Sequence, residues 1–231
     1  MTEQKAYLTP ADVDALIEAA PTKRDRAIIR TLFYTAVRES ELISIQVADI
    51  DFKNRWITIQ HLKERSRIKC AGCGARLGRT KLFCGNCGKT IEGATVEKLQ
   101  EHRKRRVRVD AETLEMIQYY VTNRRDKKNP CLFPLSRQRI QQIVYEAAED
   151  AGLGGKILQI EGLGQNHRVS PHRLRDAFAV HFLKGRGDLV GQRALQQHLG
   201  HQSFDTTAKY RKISGKEVAE IYDEVMEEQP Q

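Results

Sequence analysis

Two closely spaced cysteine pairs constrain the fold of this 231-residue chain more than any other feature. Cys70 and Cys73 lie in "CAGCG", and Cys84 and Cys87 follow in "CGNCG". This doubled spacing is typical of a four-cysteine structural zinc site, in which two tight turns present four thiolates as a tetrahedron. The alternatives are four unconnected thiols or a redox pair. We expect one structural Zn²⁺ in a closed site that leaves no coordination position for catalysis.

The segments on either side of the cysteines predict that this site is an insertion in a β-hairpin. "RWITIQHLK" is rich in aromatic and β-branched residues, and "RRVRVD" contains the alternation that strands show. We expect these two stretches to pair, with an inserted zinc-ribbon module over residues 66–102. A module this short usually needs a metal to fold.

The rest of the chain has helical periodicity, which predicts a mainly α fold with a small antiparallel β-sheet (α+β). Thr9 and Pro10 suit an N-cap and a first helical residue, and Val13, Leu16 and Ile17 follow at helical spacing. Further helices are expected over 23–36, in "ESELISI", after Asp110, in "SRQRIQQIVYEAAEDAG", over 171–183 and 189–199, around Tyr210 and in the tail 211–231. "GLGGKILQIEGLGQNHRV" is expected to be a glycine-rich connection.

Basic charge is concentrated in one segment of the chain. The net charge is +9, but residues 61–108 contain 14 Lys and Arg against 4 Asp and Glu, while the remainder contains 25 against 26. This distribution favours a polyanionic partner, most simply nucleic acid, although a solvated basic face is the alternative. No run of 18 apolar residues and no apolar leader is present. We therefore expect no membrane contact, a cytoplasmic protein and reduced cysteines.

Two short motifs bring arginines to positions that suit anion binding. In "SPHRLRDAFAVHF", Ser170 can cap a helix, and His172 and Arg175 lie three residues apart on one face of its first turns. Amide N–H groups there attract anions, and an arginine can grip a phosphate with two parallel hydrogen bonds. In "AVRESEL", Glu41 follows Arg38 at a spacing that could orient it. Taken singly, the first motif is compatible with a histidine and an arginine that merely lie on the surface. The second is compatible with a local ion pair.

Taken in order, these motifs resemble those of the tyrosine recombinases, also called phage integrases. "AVRESEL" comes first, "HRLR" follows late in the chain, and "LGH" precedes a tyrosine by nine residues. "YLTPADVDALIEAA" and "LQQHLGHQSFDTTAKY" are similar to the opening and closing segments of that family's catalytic domain. The resemblance covers residues 7–212, interrupted by the cysteine segment. It implies a tyrosine-recombinase catalytic domain over residues 1–231.

The resemblance implies site-specific DNA cleavage and rejoining through a 3′-phosphotyrosyl intermediate, without ATP, catalytic metal or nucleotide cofactor. Tyr210 would attack the scissile phosphate, while Arg38 and Arg175 would hold its non-bridging oxygens. His172 would assist removal of the nucleophile's proton, and His201 would donate a further hydrogen bond to the phosphate.

The family also uses a lysine of the β-hairpin to protonate the 5′-oxygen leaving group. Lys63 in "HLKER" is the best match, and Lys104 beside the returning strand is the alternative.

Partners follow from the same resemblance. They are double-stranded DNA, a dimer or tetramer of this chain on DNA, and a possible accessory DNA-binding protein. The implied location is cytoplasmic and nucleoid-associated, in a prokaryotic host or encoded by a virus or plasmid.

The chain also departs from the family pattern. The catalytic pattern begins near residue 7, so we expect no N-terminal core-binding domain, and we hypothesise that the zinc module partly replaces its grip on DNA. Asp176 stands where the family often has histidine, and an indirect effect is expected. The tail 211–231 is expected to form a helix that packs on a neighbouring protomer or on its own domain.

Two other functions remain open. One is a catalytically silent DNA-binding regulator or accessory factor of the same fold. The other is a type IB topoisomerase-like enzyme that relaxes DNA with little sequence preference.

Overall fold

The computed structural model describes residues 7–77, 83–90, 95–154, 158–159, 166–201, 207 and 210. These residues form seven α-helices and six strands, so the predicted mainly helical fold with a small sheet is confirmed. The helices are α1 (Pro10–Ala19), α2 (Lys23–Thr35), α3 (Glu39–Leu42), α4 (Ala111–Asn123), α5 (Arg137–Asp150), α6 (Pro171–Gly185) and α7 (Leu189–Leu199). The strands are β1 (Ile50–Asp51), β2 (Trp56–Lys69), β3 (Arg76–Leu77), β4 (Thr95–Arg108), β5 (Leu158–Gln159) and β6 (Asn166–His167).

Helix α1 begins at the N-cap that the sequence predicted. The Thr9 hydroxyl accepts a hydrogen bond from the Asp12 N–H, and the Asp12 carboxylate accepts one from the Thr9 N–H at 2.7 Å. This reciprocal capping box satisfies amides that have no partner within the helix. Val13, Leu16 and Ile17 form the buried face of α1.

Helix α2 is central to the core. It contacts α1, α4, α5 and α6, and Ile28, Ile29 and Leu32 on it are completely buried. Each such side chain contributes roughly 1.5–3 kcal/mol through removal of apolar surface from water. The helix ends at Ala36, whose φ of 50° is left-handed. This turn directs the Ala36 carbonyl group out of the helical hydrogen-bond pattern.

The sheet is organised around β2. This strand pairs antiparallel with β1, where Ile50 lies opposite Ile57, and antiparallel with β3, where Ile68 lies opposite Leu77. It also pairs with β4, so the predicted association of "RWITIQHLK" with the strand ending in "RRVR" is confirmed. Both long strands extend well beyond the residues that the sequence predicted.

The chain divides into two compact units. One runs as far as Ile59 and resumes at Arg105, and the other spans Gln60–Lys104. The second unit contains the cysteine segment and is slightly wider than the expected module over 66–102. The predicted tail helix at 211–231 lies outside the described residues, as does most of the stretch around Tyr210.

The glycine-rich connection differs from the expectation, because β5 and β6 pair within it. Each of these strands has two residues, which is too short for an alternating pattern to show in the sequence. Among the helices of the described part of the chain, none is both long and apolar enough to cross a membrane.

Candidate active site and metal cluster

Arg175 lies at the centre of the candidate active site, in the second turn of α6, and is 2% exposed. Its guanidinium donates to the Ala36 carbonyl and, at 2.7 Å, to the Leu199 carbonyl. These two carbonyls lie at the C-terminal ends of α2 and α7, where carbonyl groups lack helical partners and the helix dipole is negative. Two helix ends therefore hold one buried cation.

The electrostatics around Arg175 favour an incoming anion. Burial first, and then the nearby charge of Arg38, lower the pKa of Arg175 to about 10, while Glu41 opposes this shift. Arg175 still carries its proton at neutral pH. The site thus contains two arginines whose mutual repulsion a bound anion would relieve.

Glu41 fixes the second of these arginines. Its buried carboxylate accepts from the Arg38 guanidinium at 3.0 Å and from the Arg38 backbone N–H at 2.8 Å. Arg105 donates two hydrogen bonds to the same carboxylate, at 2.8 and 2.7 Å. Burial alone would raise the pKa of Glu41, but the Arg105 hydrogen bonds and charge, with Arg38, hold it at about 2. The contact between Glu41 and Arg38 that the sequence suggested is present.

Arg105 is a site residue that the sequence did not indicate. Besides gripping Glu41, its Nε donates to the His198 carbonyl at 3.0 Å, which connects β4 to α7. Arg105 lies in the run "RKRRVR", where nothing local distinguishes it from its basic neighbours.

His201 contacts Arg175 just after the end of α7. That helix ends at Gly200, whose φ is 68°. The Nε2 atom of His201 lies 3.3 Å from an Arg175 guanidinium nitrogen, and Nδ1 lies 2.9 Å from the Thr207 hydroxyl. Because arginine only donates, Nε2 accepts and Nδ1 carries the hydrogen that Thr207 accepts. In this arrangement, His201 orients Arg175.

Tyr210 is buried within the same site, with 8% of its surface exposed. Its ring stacks on His201, with centroids 6.3 Å apart and an interplanar angle of 16°. Its hydroxyl donates to Oδ1 of Asp176 at 2.6 Å. Burial, and then the Asp176 charge and hydrogen bond, raise the pKa of Tyr210 well above its ordinary value, whereas Arg175 lowers it. The phenol is therefore neutral at physiological pH.

Asp176 has a more direct position than the sequence indicated. We expected an indirect effect, but the carboxylate contacts the predicted nucleophile. Its other oxygen accepts from Arg173 at 2.7 Å. His172, one helical turn earlier, places Nε2 3.9 Å from Oδ1, and its side chain is 58% exposed. His172 thus borders the pair formed by Tyr210 and Asp176.

The choice between Lys63 and Lys104 as the acid that protonates the leaving group rests on the sequence. Lys63 lies in β2 and Lys104 in β4, and both fall in the unit Gln60–Lys104. The Lys104 side chain is exposed, while the side chain of Lys63 lies outside the described part of the structure. Lys63 stays the prediction. The five other predicted residues are linked by contacts or by electrostatic interaction within the other unit.

The four cysteines form a cluster in the second unit. Their Sγ atoms all lie within 4.8 Å of one another, and the pairs Cys70–Cys87 and Cys73–Cys84 are each separated by 3.6 Å. Tetrahedral coordination with Zn–S bonds of about 2.3 Å requires Sγ–Sγ separations of about 3.8 Å. The cluster can therefore hold a metal ion.

The two cysteine turns share one backbone geometry. In each, the first cysteine's N–H donates to the carbonyl five residues later, and its carbonyl accepts the N–H four residues later. The bonds are Cys70 to Ala75 and Gly74 to Cys70, and Cys84 to Lys89 and Gly88 to Cys84, all 2.8–2.9 Å. Both glycines have a φ of 71°, which favours glycine because a Cβ is disfavoured there.

The thiol electrostatics favour a cation in the cluster. Hydrogen bonds from the Ala75 N–H and then from Asn86 lower the pKa of Cys73 to about 6. The Lys89 N–H lowers the pKa of Cys87, but hydrogen bonds with Cys73 and Cys70 outweigh it and raise that pKa to about 12. Four thiolates at this spacing repel one another unless a metal ion lies between them.

Comparison with protein families gives one match that covers most of the chain. The family model described as "Phage integrase family" matches residues 6–71 and 88–217. The unmatched stretch, residues 72–87, contains Cys73, Cys84 and Cys87. The break in the match thus falls within the insertion that the sequence predicted.

Similar curated proteins are recombinases of greater length. Tyrosine recombinase XerC from Roseiflexus castenholzii (strain DSM 13941 / HLO8) is 31% identical over 217 residues, which cover 90% of this chain and 55% of the relative. Tyrosine recombinase XerA from Pyrococcus furiosus is 27% identical over 215 residues, which cover 92% and 59%. The chain spans little more than half the length of these relatives.

Solved recombinase structures share the fold. XerA recombinase matches with a TM-score of 0.59 at 24% identity, covering 97% of this chain and 65% of that one. The Tn1549 transposon integrase in complex with transposon right end DNA matches with a TM-score of 0.62 at 18% identity, covering 97% and 67%. These matches confirm the predicted catalytic-domain fold.

Proposed function

The chain belongs to the phage integrase family, and from this premise we propose that it is a site-specific tyrosine recombinase. It would cleave and rejoin double-stranded DNA through a 3′-phosphotyrosyl bond to Tyr210. The observation that carries the proposal is the contact set around Arg175, which joins residues from three distant motifs. Its guanidinium contacts the end of α2, the end of α7 and His201, and Tyr210 stacks on that histidine.

The chemistry needs a fixed positive site for the scissile phosphate. Arg38 and Arg175 would bind its non-bridging oxygens and stabilise the charge that develops in the transition state. Both are held in advance, Arg38 by Glu41 and Arg175 by two carbonyl groups. Little reorganisation is then needed when DNA binds. A catalytic metal is not required, because the arginines, histidines and lysine would supply charge neutralisation and proton transfer. A nucleotide cofactor is not required, because the phosphotyrosyl bond conserves the energy of the broken phosphodiester bond.

Proton transfers complete the proposed reaction. The Tyr210 oxygen bonds to phosphorus as the bond to the 5′-oxygen breaks. His172 would accept the phenol proton, since it lies beside the Tyr210–Asp176 pair. Lys63, or Lys104 in its place, would protonate the leaving oxygen. His201 would donate to the phosphate through Nε2 after that nitrogen gains a hydrogen, because in the DNA-free arrangement Nε2 is the acceptor that faces Arg175.

The proposed partners follow from the reaction. Double-stranded DNA is the substrate, and strand exchange between two sites needs two or more copies of the chain. Solved structures that are similar to this chain include XerH bound to its difH substrate and a lambda integrase dimer bound to a core site. An accessory DNA-binding protein and a nucleoid-associated cytoplasmic location are consistent with this proposal.

For the cysteine cluster, we propose one structural Zn²⁺ bound by Cys70, Cys73, Cys84 and Cys87. Its support is the close spacing of the four Sγ atoms, which all lie within 4.8 Å of one another, and the paired turns. Purified protein should contain one equivalent of zinc by elemental analysis, and Cys73→Ser should lower that content. Cys131→Ser is the matched control, because Cys131 is the one cysteine outside the cluster, and it should keep the full equivalent.

A covalent-trapping experiment tests the recombinase proposal. The protein is incubated with nicked suicide duplexes tiled across DNA flanking its gene, and SDS-resistant adducts are sought and mapped by mass spectrometry. Tyr210→Phe should abolish the adduct. Tyr145→Phe, the same change at an exposed tyrosine of α5, should not.

The outcomes separate the alternatives. An adduct at Tyr210 with recombination between paired sites supports the recombinase. An adduct with relaxation of supercoils but no recombination favours the topoisomerase-like enzyme. DNA binding without an adduct on any duplex, at any pH tested, would overturn the proposal in favour of the silent regulator.

A further inference from the structure

Building on the proposed function, we infer that Asp176 is a positioning residue that restrains the nucleophile. Its carboxylate holds the Tyr210 hydroxyl in a protonated resting state. A DNA phosphate must break this hydrogen bond before attack can begin. The overall reaction requires neither a carboxylate at this position nor this resting state.

The contact itself is short and buried. The Tyr210 hydroxyl lies 2.6 Å from Oδ1 of Asp176, and the two residues are 8% and 2% exposed. A carboxylate oxygen only accepts, so the phenol must keep its proton to make this bond. Hydrogen bonds that involve an ionised acceptor are about twice as strong as neutral ones, and more so away from water. Tyr210 is therefore held in its least nucleophilic form.

The carboxylate is itself fixed from both sides. Arg173 donates to Oδ2 at 2.7 Å, and this arginine lies on the same helix, three residues earlier. His172 borders Oδ1 at 3.9 Å. Asp176 therefore cannot simply rotate away from Tyr210 without leaving the Arg173 guanidinium.

The charges that face Tyr210 pull in opposite directions. Burial comes first among the effects that raise its pKa, followed by the Asp176 charge and hydrogen bond, with a smaller effect from Tyr7. Arg175 lowers that pKa, and the ring of His201 lies against the phenol. Removal of the Asp176 charge takes away an effect that raises this pKa and keeps the effect of Arg175 that lowers it, which favours the phenolate.

The step that follows is balanced in protons and bonds. As the phosphate binds to Arg38 and Arg175, the Tyr210 hydroxyl leaves Asp176 and its proton passes to His172. The Oη–phosphorus bond then forms while the phosphorus–O5′ bond breaks, and the hairpin lysine protonates O5′. Asp176 keeps its charge throughout, so it restrains the hydroxyl without accepting its proton.

The test compares Asp176→Asn, which keeps the shape and removes the charge, with Asp14→Asn, the same change at an exposed position of α1. Asp176→Ser serves as a second uncharged variant if the asparagine variant fails to fold. The first measurement uses DNA-free protein with ¹³Cζ-labelled tyrosine, titrated by NMR and assigned with Tyr210→Phe. Asp176→Asn should ionise Tyr210 at least about one pH unit below wild type. Asp14→Asn should match wild type.

The second measurement is the rate of adduct formation on a suicide duplex as a function of pH. Asp176→Asn should shift the rising limb to lower pH and form the adduct about tenfold faster near neutrality, because one unit of pKa changes the phenolate fraction tenfold. Unchanged Tyr210 ionisation overturns the inference. So does a folded variant that forms adducts more slowly at every pH, since the carboxylate would then be the proton acceptor.

The two measurements keep this inference separate from the proposed function. If wild type forms no adduct, the recombinase proposal fails. The NMR titration still decides whether Asp176 controls the ionisation of Tyr210.

Discussion

Glu41 organises two arginines that lie far apart in the sequence. Arg38 precedes it by three residues on the same helix start, while Arg105 reaches it from the end of β4. The sequence predicted the first contact, because residues three apart on a helix face each other. It could not predict the second, because tertiary packing selects Arg105 from a run of similar residues. The same holds for Asp176, whose partner Tyr210 comes from another part of the chain.

Glu41→Gln should therefore be strongly destabilising. The change leaves Arg105, whose side chain is 13% exposed, without its counter-charge, and loss of one partner of a buried pair costs about 3 kcal/mol or more. Urea denaturation measures the free energy of unfolding. Glu146→Gln, which removes a carboxylate from an exposed pair with Arg139, should change it by less than about 1 kcal/mol. Equal effects of the two changes would contradict the role assigned to Glu41.

His198 should make stability fall as the solution is acidified. Its Nε2 donates to the Thr35 carbonyl at 3.0 Å, and burial lowers the pKa of His198 to about 4. Between about pH 6.5 and 4, the unfolded chain binds a proton at this residue that the folded chain does not. Acidification through this window should thus remove up to roughly 3 kcal/mol of unfolding free energy.

The measurement is the pH dependence of the unfolding free energy between pH 4 and 6.5. His198→Gln should flatten this dependence, whatever its constant effect on stability. His181→Gln, at an exposed position of α6, should leave the slope as in wild type. An unchanged slope in His198→Gln would show that another group titrates.

Helix ends, more than helix interiors, build this site. The sequence located those ends well, since N-caps such as Thr9 and Asp110 depend on local residue types. Ser170 occupies its predicted N-cap position, although its side chain makes no capping hydrogen bond. The pairing of β5 with β6 was missed because strands of two residues carry no periodic signal. The sequence also could not predict that Arg175 binds the carbonyls at the ends of α2 and α7, because these contacts depend on tertiary packing.

Gly200 should be sensitive to the smallest side chain. Its φ of +68° disfavours any other residue, and an added Cβ would lie 3.1 Å from Cδ and Nη1 of Arg105. Gly200→Ala should cost about 1–2 kcal/mol. Thermal unfolding is the measurement, with Gly185→Ala as control, because a Cβ at Gly185 meets nothing within 4 Å. A control as destabilised as Gly200→Ala would rule out the turn geometry as the cause.

At the scale of the whole molecule, the two units are stabilised in different ways. The unit that runs to Ile59 and resumes at Arg105 has a large apolar core. In the described part of Gln60–Lys104, the buried cluster comprises Cys70, Leu77 and Cys84. The proposed zinc therefore supplies what that unit lacks in apolar burial. The doubled cysteine spacing made this module predictable from the sequence, whereas its strand lengths were not.

Removal of the proposed zinc should unfold only the second unit. With a chelator, limited proteolysis should cut within residues 60–104 while the thermal transition of the larger unit persists. Added Zn²⁺ should restore resistance, and Cys131→Ser should behave as wild type. Loss of the larger unit's transition on chelation would contradict separate folding of the two units.

The same treatment tests the hypothesis that the module contributes to DNA binding. Residues 61–108 contain 14 Lys and Arg against 4 Asp and Glu, so ordered phosphate contacts there should steepen the salt dependence of affinity. Chelation, or Cys73→Ser, should weaken binding and reduce that slope in a fluorescence anisotropy titration. Affinity and slope that are indifferent to zinc would remove the module from the DNA interface.

The position of Arg175 between two helix ends has a consequence for the chain as it is synthesised. Ala36 emerges from the ribosome early, whereas Leu199, His201 and Tyr210 emerge late. A nascent or truncated chain that stops before α7 has the arginines but neither their full set of carbonyl ligands nor the nucleophile. Under the proposed function, the capacity to bond covalently to DNA would therefore arise only after the chain through Tyr210 has been synthesised.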